Sequence, residues 1–220
     1  MPRGARILPE IGVLHIITRG NNRQKVFKDD ADYKKYLWLL GLYKEEHGFK
    51  LYHYCLMSNH VHLIIETSRK TNLPKMMKQI NLSYMHHFRK KYKYFGHFWQ
   101  DRYKSLLIEK DSYLLSCGKY IELNPVRARI VSRPDEYRWH SYNVYSGMGE
   151  DKLIAFDPVY ESLGKTQNER AEKYKELTCE NINLNSRFIG SESFVKDQEE
   201  KFGVRNIGVR KGRPSKVKNK

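Results

Sequence analysis

The stretch Met57-Ser58-Asn59-His60-Val61-His62-Leu63-Ile64-Ile65-Glu66 constrains this chain most, because it reads as a tight turn running into a short strand. Side chains alternate across a strand, so His60, His62, Ile64 and Glu66 share one face and Val61, Leu63 and Ile65 the other. The second face is wholly apolar and is expected to pack on a helical core. That leaves two imidazoles, two residues apart, aimed away from it. Such a pair suits a metal ion, and the spacing alone leaves equally open a pair of satisfied surface histidines.

The flanking sequence supplies the partners of this strand. Val13 to Thr18 is an apolar run of strand character, closed by Gly20 and the Asn21-Asn22 pair, with Arg19 and Arg23 either side of the turn. Asp29 or Asp30 can cap a helix reaching about Glu46, in which Tyr33, Tyr36, Leu37, Leu40 and Tyr43 recur at helical spacing before Gly48. Residues 49–57 read as a strand forming a hairpin with the histidine strand, and Leu73 to Tyr92 as an amphipathic helix. A strand over Ser105 to Glu109 and a helix from Asp111 through Leu123 complete the series. The order predicts an α+β fold: a ferredoxin-like or RRM-like antiparallel sheet with helices on one face. Helices over 166–178 and 191–202, the latter capped by Ser191, form a C-terminal helical extension followed by a basic tail. The expected division is 1–147, 148–204 and 205–220.

Charge points to the partner. Lys and Arg number 41 against 25 Asp and Glu, a formal net charge of +16. An excess of this size calls for a polyanion, and the 13% aromatic content favours nucleic acid over a membrane surface, because bases stack on rings. Tyr84 to Lys104 holds eight aromatics and six Lys or Arg. Within it, Phe98 and Trp99 are expected to be buried, while Arg102 and Lys104 are expected to contact DNA. Cys55, Cys117 and Cys179 follow no metal-ligand pattern and read as reduced thiols of a cytoplasmic protein. The apolar run Ile11 to Ile17 falls well short of the roughly 18 residues that a membrane span needs.

Four segments in order carry a resemblance. They are Thr18-Arg19-Gly20-Asn21-Asn22-Arg23, Met57-Ser58-Asn59-His60-Val61-His62, Phe98-Trp99-Gln100-Asp101-Arg102-Tyr103-Lys104-Ser105 and Tyr120-Ile121-Glu122-Leu123-Asn124-Pro125-Val126-Arg127-Ala128. Over roughly residues 5 to 145 the chain resembles the HUH single-strand DNA transposases, and within them the REP-associated tyrosine transposases. The resemblance implies the HUH endonuclease fold, with Tyr120 as nucleophile and His60 and His62 holding a divalent ion, Mg²⁺ or Mn²⁺. It places an amide ligand one helical turn after the tyrosine, at Asn124, where related insertion-sequence enzymes have Gln. Both side chains offer a carbonyl oxygen, but Asn has the shorter arm and Pro125 disfavours helical geometry at Asn124. Glu122 is expected to point away from this face, Glu66 is a fallback ligand, and His53 is read as structural.

The implied reaction is metal-dependent cleavage of single-stranded DNA beside a hairpin such as a repetitive extragenic palindrome. A tyrosine suits it, because a phenol of pKa about 10 can attack a phosphodiester and later leave. The product would be a 5′-phosphotyrosine, and rejoining would make the enzyme a strand transferase. Arg19 and Arg23 would contact DNA phosphates or bases beside the site, a solvated charged loop being equally open. In the tail, Arg210-Lys211-Gly212-Arg213-Pro214 resembles an AT-hook core lying in a narrow A·T minor groove, with loose phosphate binding as the alternative. The resemblance implies a monomer, a dimer being open, located in the cytoplasm with the nucleoid. Two other readings compete: a non-catalytic hairpin-binding or regulatory protein on the same scaffold, and an RNA-binding module of RRM-like shape.

Overall fold

Asp29 starts the first long helix by accepting from the Asp32 amide, while Asp32 returns a bond to the Asp29 amide, a reciprocal cap. Gly48 ends that helix in the left-handed region at φ 63°, where only glycine sits without strain. The computed structural model describes residues 7–110, 112–177 and 186–206. The elements run β1 (Val13–Arg19), α1 (Asp30–His47), β2 (Lys50–Met57), β3 (His60–Glu66), α2 (Leu73–Tyr92), β4 (Lys104–Ile108) and α3 (Ser112–Glu122). This is the expected order. There follow α4 (Asn124–Arg127), α5 (Tyr142–Tyr145), α6 (Pro158–Ser162), α7 (Gln167–Glu176), β5 (Phe188–Ile189) and α8 (Glu192–Phe202), with Ser191 capping α8 as expected.

The strands form one sheet in the order β2-β3-β1-β4-β5. The first four pair antiparallel, and β5 joins β4 in parallel. Arg19 pairs with His60, and Ile17 lies between His62 on one side and Lys104 on the other. The end of β1 and the starts of β3 and β4 therefore meet at one end of the sheet. The short β5 forms one edge of the sheet, and the free side of β2 at the other meets His140 and Ile154 through isolated bridges at Cys55 and Leu51.

Val61, Leu63 and Ile65 face the main core, packed with Leu14, Ile16 and the buried residues of α1 and α2, among them Tyr36, Leu40, Met76, Ile80 and Tyr84. This is the expected helical layer. The opposite face is not left open, however. Leu114, Cys117 and Ile121 of α3 pack there with Val13, Tyr52, Cys55, Ile64 and Leu106. The one-sided arrangement thus holds for α1 and α2, while α3, itself apolar on one side, covers the histidine face. A third cluster joins Leu115 of α3 to Tyr142, Tyr145, Tyr160 and Tyr174, so the C-terminal segment packs onto the tyrosine-bearing helix. No helix among the described residues is long and apolar enough to cross a membrane.

Candidate active site

His60 and His62 stand on the face that α3 covers. His62 is buried and His60 half-buried, with their rings 4.8 Å apart edge to face. Burial, aided by the Arg19 charge, pulls the His60 pKa down to about 4. Burial also holds His62 well below its ordinary value, together with its neighbours His15, His60 and Arg19. Both are therefore neutral at pH 7, the form in which imidazole can ligate a metal.

Their hydrogen bonds decide which nitrogen is free. The Asn59 amide nitrogen donates to the Arg23 carbonyl, so its Oδ1 is the acceptor facing His60 Nδ1 at 2.5 Å. His60 must then carry its proton on Nδ1 and present a bare Nε2. His62 Nδ1 lies 2.8 Å from His15 Nε2, with the rings stacked. His15 is fully buried, burial lowers its pKa to about 3, and its Nδ1 has no hydrogen-bond partner. A ligating His62 would likewise bind through Nε2, donating Nδ1–H to His15. Sequence reasoning missed His15. Its signal was the strand alternation of Val13, His15 and Ile17, which places it on the same face as the pair.

Tyr120 is half-buried on α3 and packs against the apolar cluster on that same face. The helix does not continue to Asn124. It stops at Glu122, and a new turn begins at Asn124 with Pro125, which has no N–H to extend the ladder. The Tyr120 carbonyl at this break accepts from Arg127 Nη1 at 3.1 Å, and the guanidinium lies 4.1 Å from the centre of the Tyr120 ring. Arg127 thus places a fixed cation beside the phenol, a feature visible only once the helix break brings it back. Asn124 is half-buried, and its amide nitrogen is buried without a partner.

The remaining acids fall elsewhere. Glu66 is engaged by Lys50, Lys110 and the Tyr52 hydroxyl, which removes it as a fallback ligand. Glu122 accepts from His53, Ser141 and Tyr174, all buried. No group of three His, Cys, Asp or Glu among the described residues could hold a metal ion. A metal site here would therefore be two imidazoles completed by oxygen. The donors present fit that: two neutral imidazoles, and the carbonyl oxygen that the Asn124 side chain offers.

Arg19, Arg23, Arg102 and Lys104 are all exposed. Arg19 and Lys104 lie at the histidine end of the sheet, and Arg23 follows Asn22 in a left-handed turn beside Asn59. The segment before Arg102 docks on that turn, with Asn21 N donating to Phe98 O and Gln100 N to Arg19 O. Phe98 is buried as expected, whereas Trp99 is only half-buried. Arg210, Lys211 and Arg213 lie outside the described residues.

A four-stranded antiparallel core with a paired imidazole strand, faced by a helix that carries a tyrosine, defines the α+β scaffold. Residues 12–124 match the family model for IS200-like transposases, and the chain belongs to that family. Among solved structures, a REP-associated tyrosine transposase bound to a REP hairpin aligns with a TM-score of 0.59 at 14% identity, covering 70% of this chain and 98% of that one. The two share a fold. A transposase structure from Deinococcus radiodurans R1 aligns at 17% identity over 59% of this chain and 92% of that one, with a TM-score of only 0.39. No curated protein matches the chain.

Proposed function

We propose that this transposase is a metal-dependent single-strand DNA endonuclease and strand transferase that recognises DNA hairpins, including repetitive extragenic palindromes. One observation carries the reading. Two neutral imidazoles whose Nδ1 atoms are engaged, leaving Nε2 available, share a sheet face with the helix that bears Tyr120. The similarity in fold to a protein bound to a REP hairpin supports the choice of substrate.

In this reaction the Tyr120 phenol gives up its proton and its oxygen attacks the scissile phosphorus. The bond to the 3′-oxygen breaks and that oxygen takes up a proton, leaving a 5′-phosphotyrosine and a free 3′-hydroxyl. Attack by another 3′-hydroxyl reverses the step and joins strands without a nucleotide cofactor. His60 and His62, with the Asn124 amide oxygen, would hold Mg²⁺ or Mn²⁺, which when bound polarises the phosphate and offsets developing charge. His15 keeps His62 in its ligating tautomer. Arg127 neutralises charge on the phosphate or the departing phenolate. Arg19, Arg23, Arg102 and Lys104 track the backbone at the rim, and Arg210, Lys211 and Arg213 add contacts from the tail. The enzyme would act as a monomer on cytoplasmic, nucleoid-associated DNA.

Labelled single-stranded DNA carrying hairpins, incubated with wild type, Tyr120→Phe and His62→Ala, tests this. A covalent adduct is expected with Mn²⁺ or Mg²⁺, and is expected to vanish with EDTA or either substitution. Hairpin binding without adduct or cleavage in any metal would sink the enzymatic reading and leave a binding protein.

A further inference from the structure

Phe95 is 89% exposed, more than any other large hydrophobic side chain among the described residues. Its neighbours found places in the core: Tyr92, Tyr94 and Phe98 all contact the Phe88 ring. The chain turns Phe95 out between Lys93, at φ 49°, and Gly96, at φ 108°.

The loop that carries it is latched. Arg89 Nη2 donates to the Gly96 carbonyl at 3.0 Å and the Tyr94 hydroxyl to the His97 carbonyl at 3.0 Å. Trp99 Nε1 donates to the Asn81 carbonyl at 3.1 Å. The Phe98 carbonyl receives both Asn21 N and the Gln24 side chain, each at 2.8 Å, and Gly20 bridges to Trp99. Those contacts fix the loop to the Arg19–Arg23 turn, whose first residue pairs with His60.

Exposed Lys93, Arg102 and Lys104 lie in or next to this loop, and Arg19 and Arg23 in the turn beneath it; Asp101 is the one acid from Lys93 to Lys104. A rigidly presented ring among cations that can follow phosphates suits one ligand chemistry, an unpaired nucleobase.

We propose that Phe95 is the platform on which one unpaired base of the strand adjoining the hairpin stacks, setting which nucleotide is seated at the histidine end of the sheet. This rests on the single-strand DNA reading above.

The test uses the full chain in EDTA, with fluorescence anisotropy on a hairpin oligonucleotide that is either blunt or carries a short single-stranded flank. Phe95→Ala and Phe95→Leu should each weaken binding of the flanked hairpin about tenfold, Phe95→Trp should restore it, and none should alter binding of the blunt hairpin. An abasic site at one flank position should cost the wild type a similar factor and cost Phe95→Ala nothing. If Phe95→Ala or Phe95→Leu binds the flanked hairpin as tightly as wild type, the stacking role is wrong while the function stands. If the wild type itself gains nothing from the flank, the single-strand reading fails and this inference with it.

Discussion

Neighbouring strands of this protein bury histidines to opposite ends. On β3 and β1, burial without a carboxylate keeps His60, His62 and His15 neutral. On β2, His53 is just as deeply buried, but its Nδ1 meets Glu122 at 2.9 Å and its Nε2 meets Asp157 at 3.0 Å. Burial pushes that imidazole down, and the bonds to Asp157 and Glu122 overcome it, raising the pKa to about 9. A ring with both nitrogens committed is a cationic strut between β2, α3 and α6. On His60 and His62 one ring nitrogen is engaged and the other is left available, which under the proposed function makes them the metal ligands. The difference lies in the carboxylates, because desolvation alone discharges an imidazole and only a fixed anion reverses that.

The contrast can be broken from the strut side first. His53→Leu leaves Glu122 and Asp157 buried without their cation, and should lower unfolding free energy by about 3–5 kcal/mol in chemical denaturation. A cost near zero would mean that His53 is not the charge partner. Gly118 comes next, since a Cβ there would lie 2.4 Å from the His53 ring. Gly118→Ala must shift α3 or the ring, with an expected cost of about 1–3 kcal/mol by the same assay. On the ligand side, His15→Leu should leave the fold in place and weaken Mn²⁺ binding about tenfold, read by electron paramagnetic resonance titration. Undiminished Mn²⁺ affinity would show that His15 does not orient His62.

The pH dependence separates the regions too. The folded pKa of His53, about 9, exceeds the ordinary 6.5, so its contribution to stability is fully present below pH 6.5 and is lost as pH rises through about 9. Denaturation midpoints compared at pH 6.5 and pH 9.5 should show this loss in wild type and not in His53→Leu.

What the sequence revealed follows the range of the interactions involved. Asp29, Gly48 and the alternation from Val61 to Ile65 act within a few residues, and they predicted α1 and β3 nearly to the residue. Tyr120 and the imidazole pair came from motif order. The strut was invisible because Glu122 and Asp157 lie 69 and 104 positions from His53 along the chain. β5 was missed because Phe188–Ile189 is only two residues long and is held by partners distant or separate from it, β4, Asn206 and Phe202. The cover on the histidine face went unread because the α3 stripe shows that the helix has an apolar side but not which sheet face it meets. Arg127 reached Tyr120 only through the helix break at Pro125, whose three-dimensional outcome the pattern does not carry.

The most direct test of the contrast is the protonation of the imidazoles, read from ¹⁵N chemical shifts of histidine-labelled protein at pH 7. A neutral His60 with its proton on Nδ1 and a doubly protonated His53 are the expected result. A His60 protonated on Nε2, or a neutral His53, would contradict it.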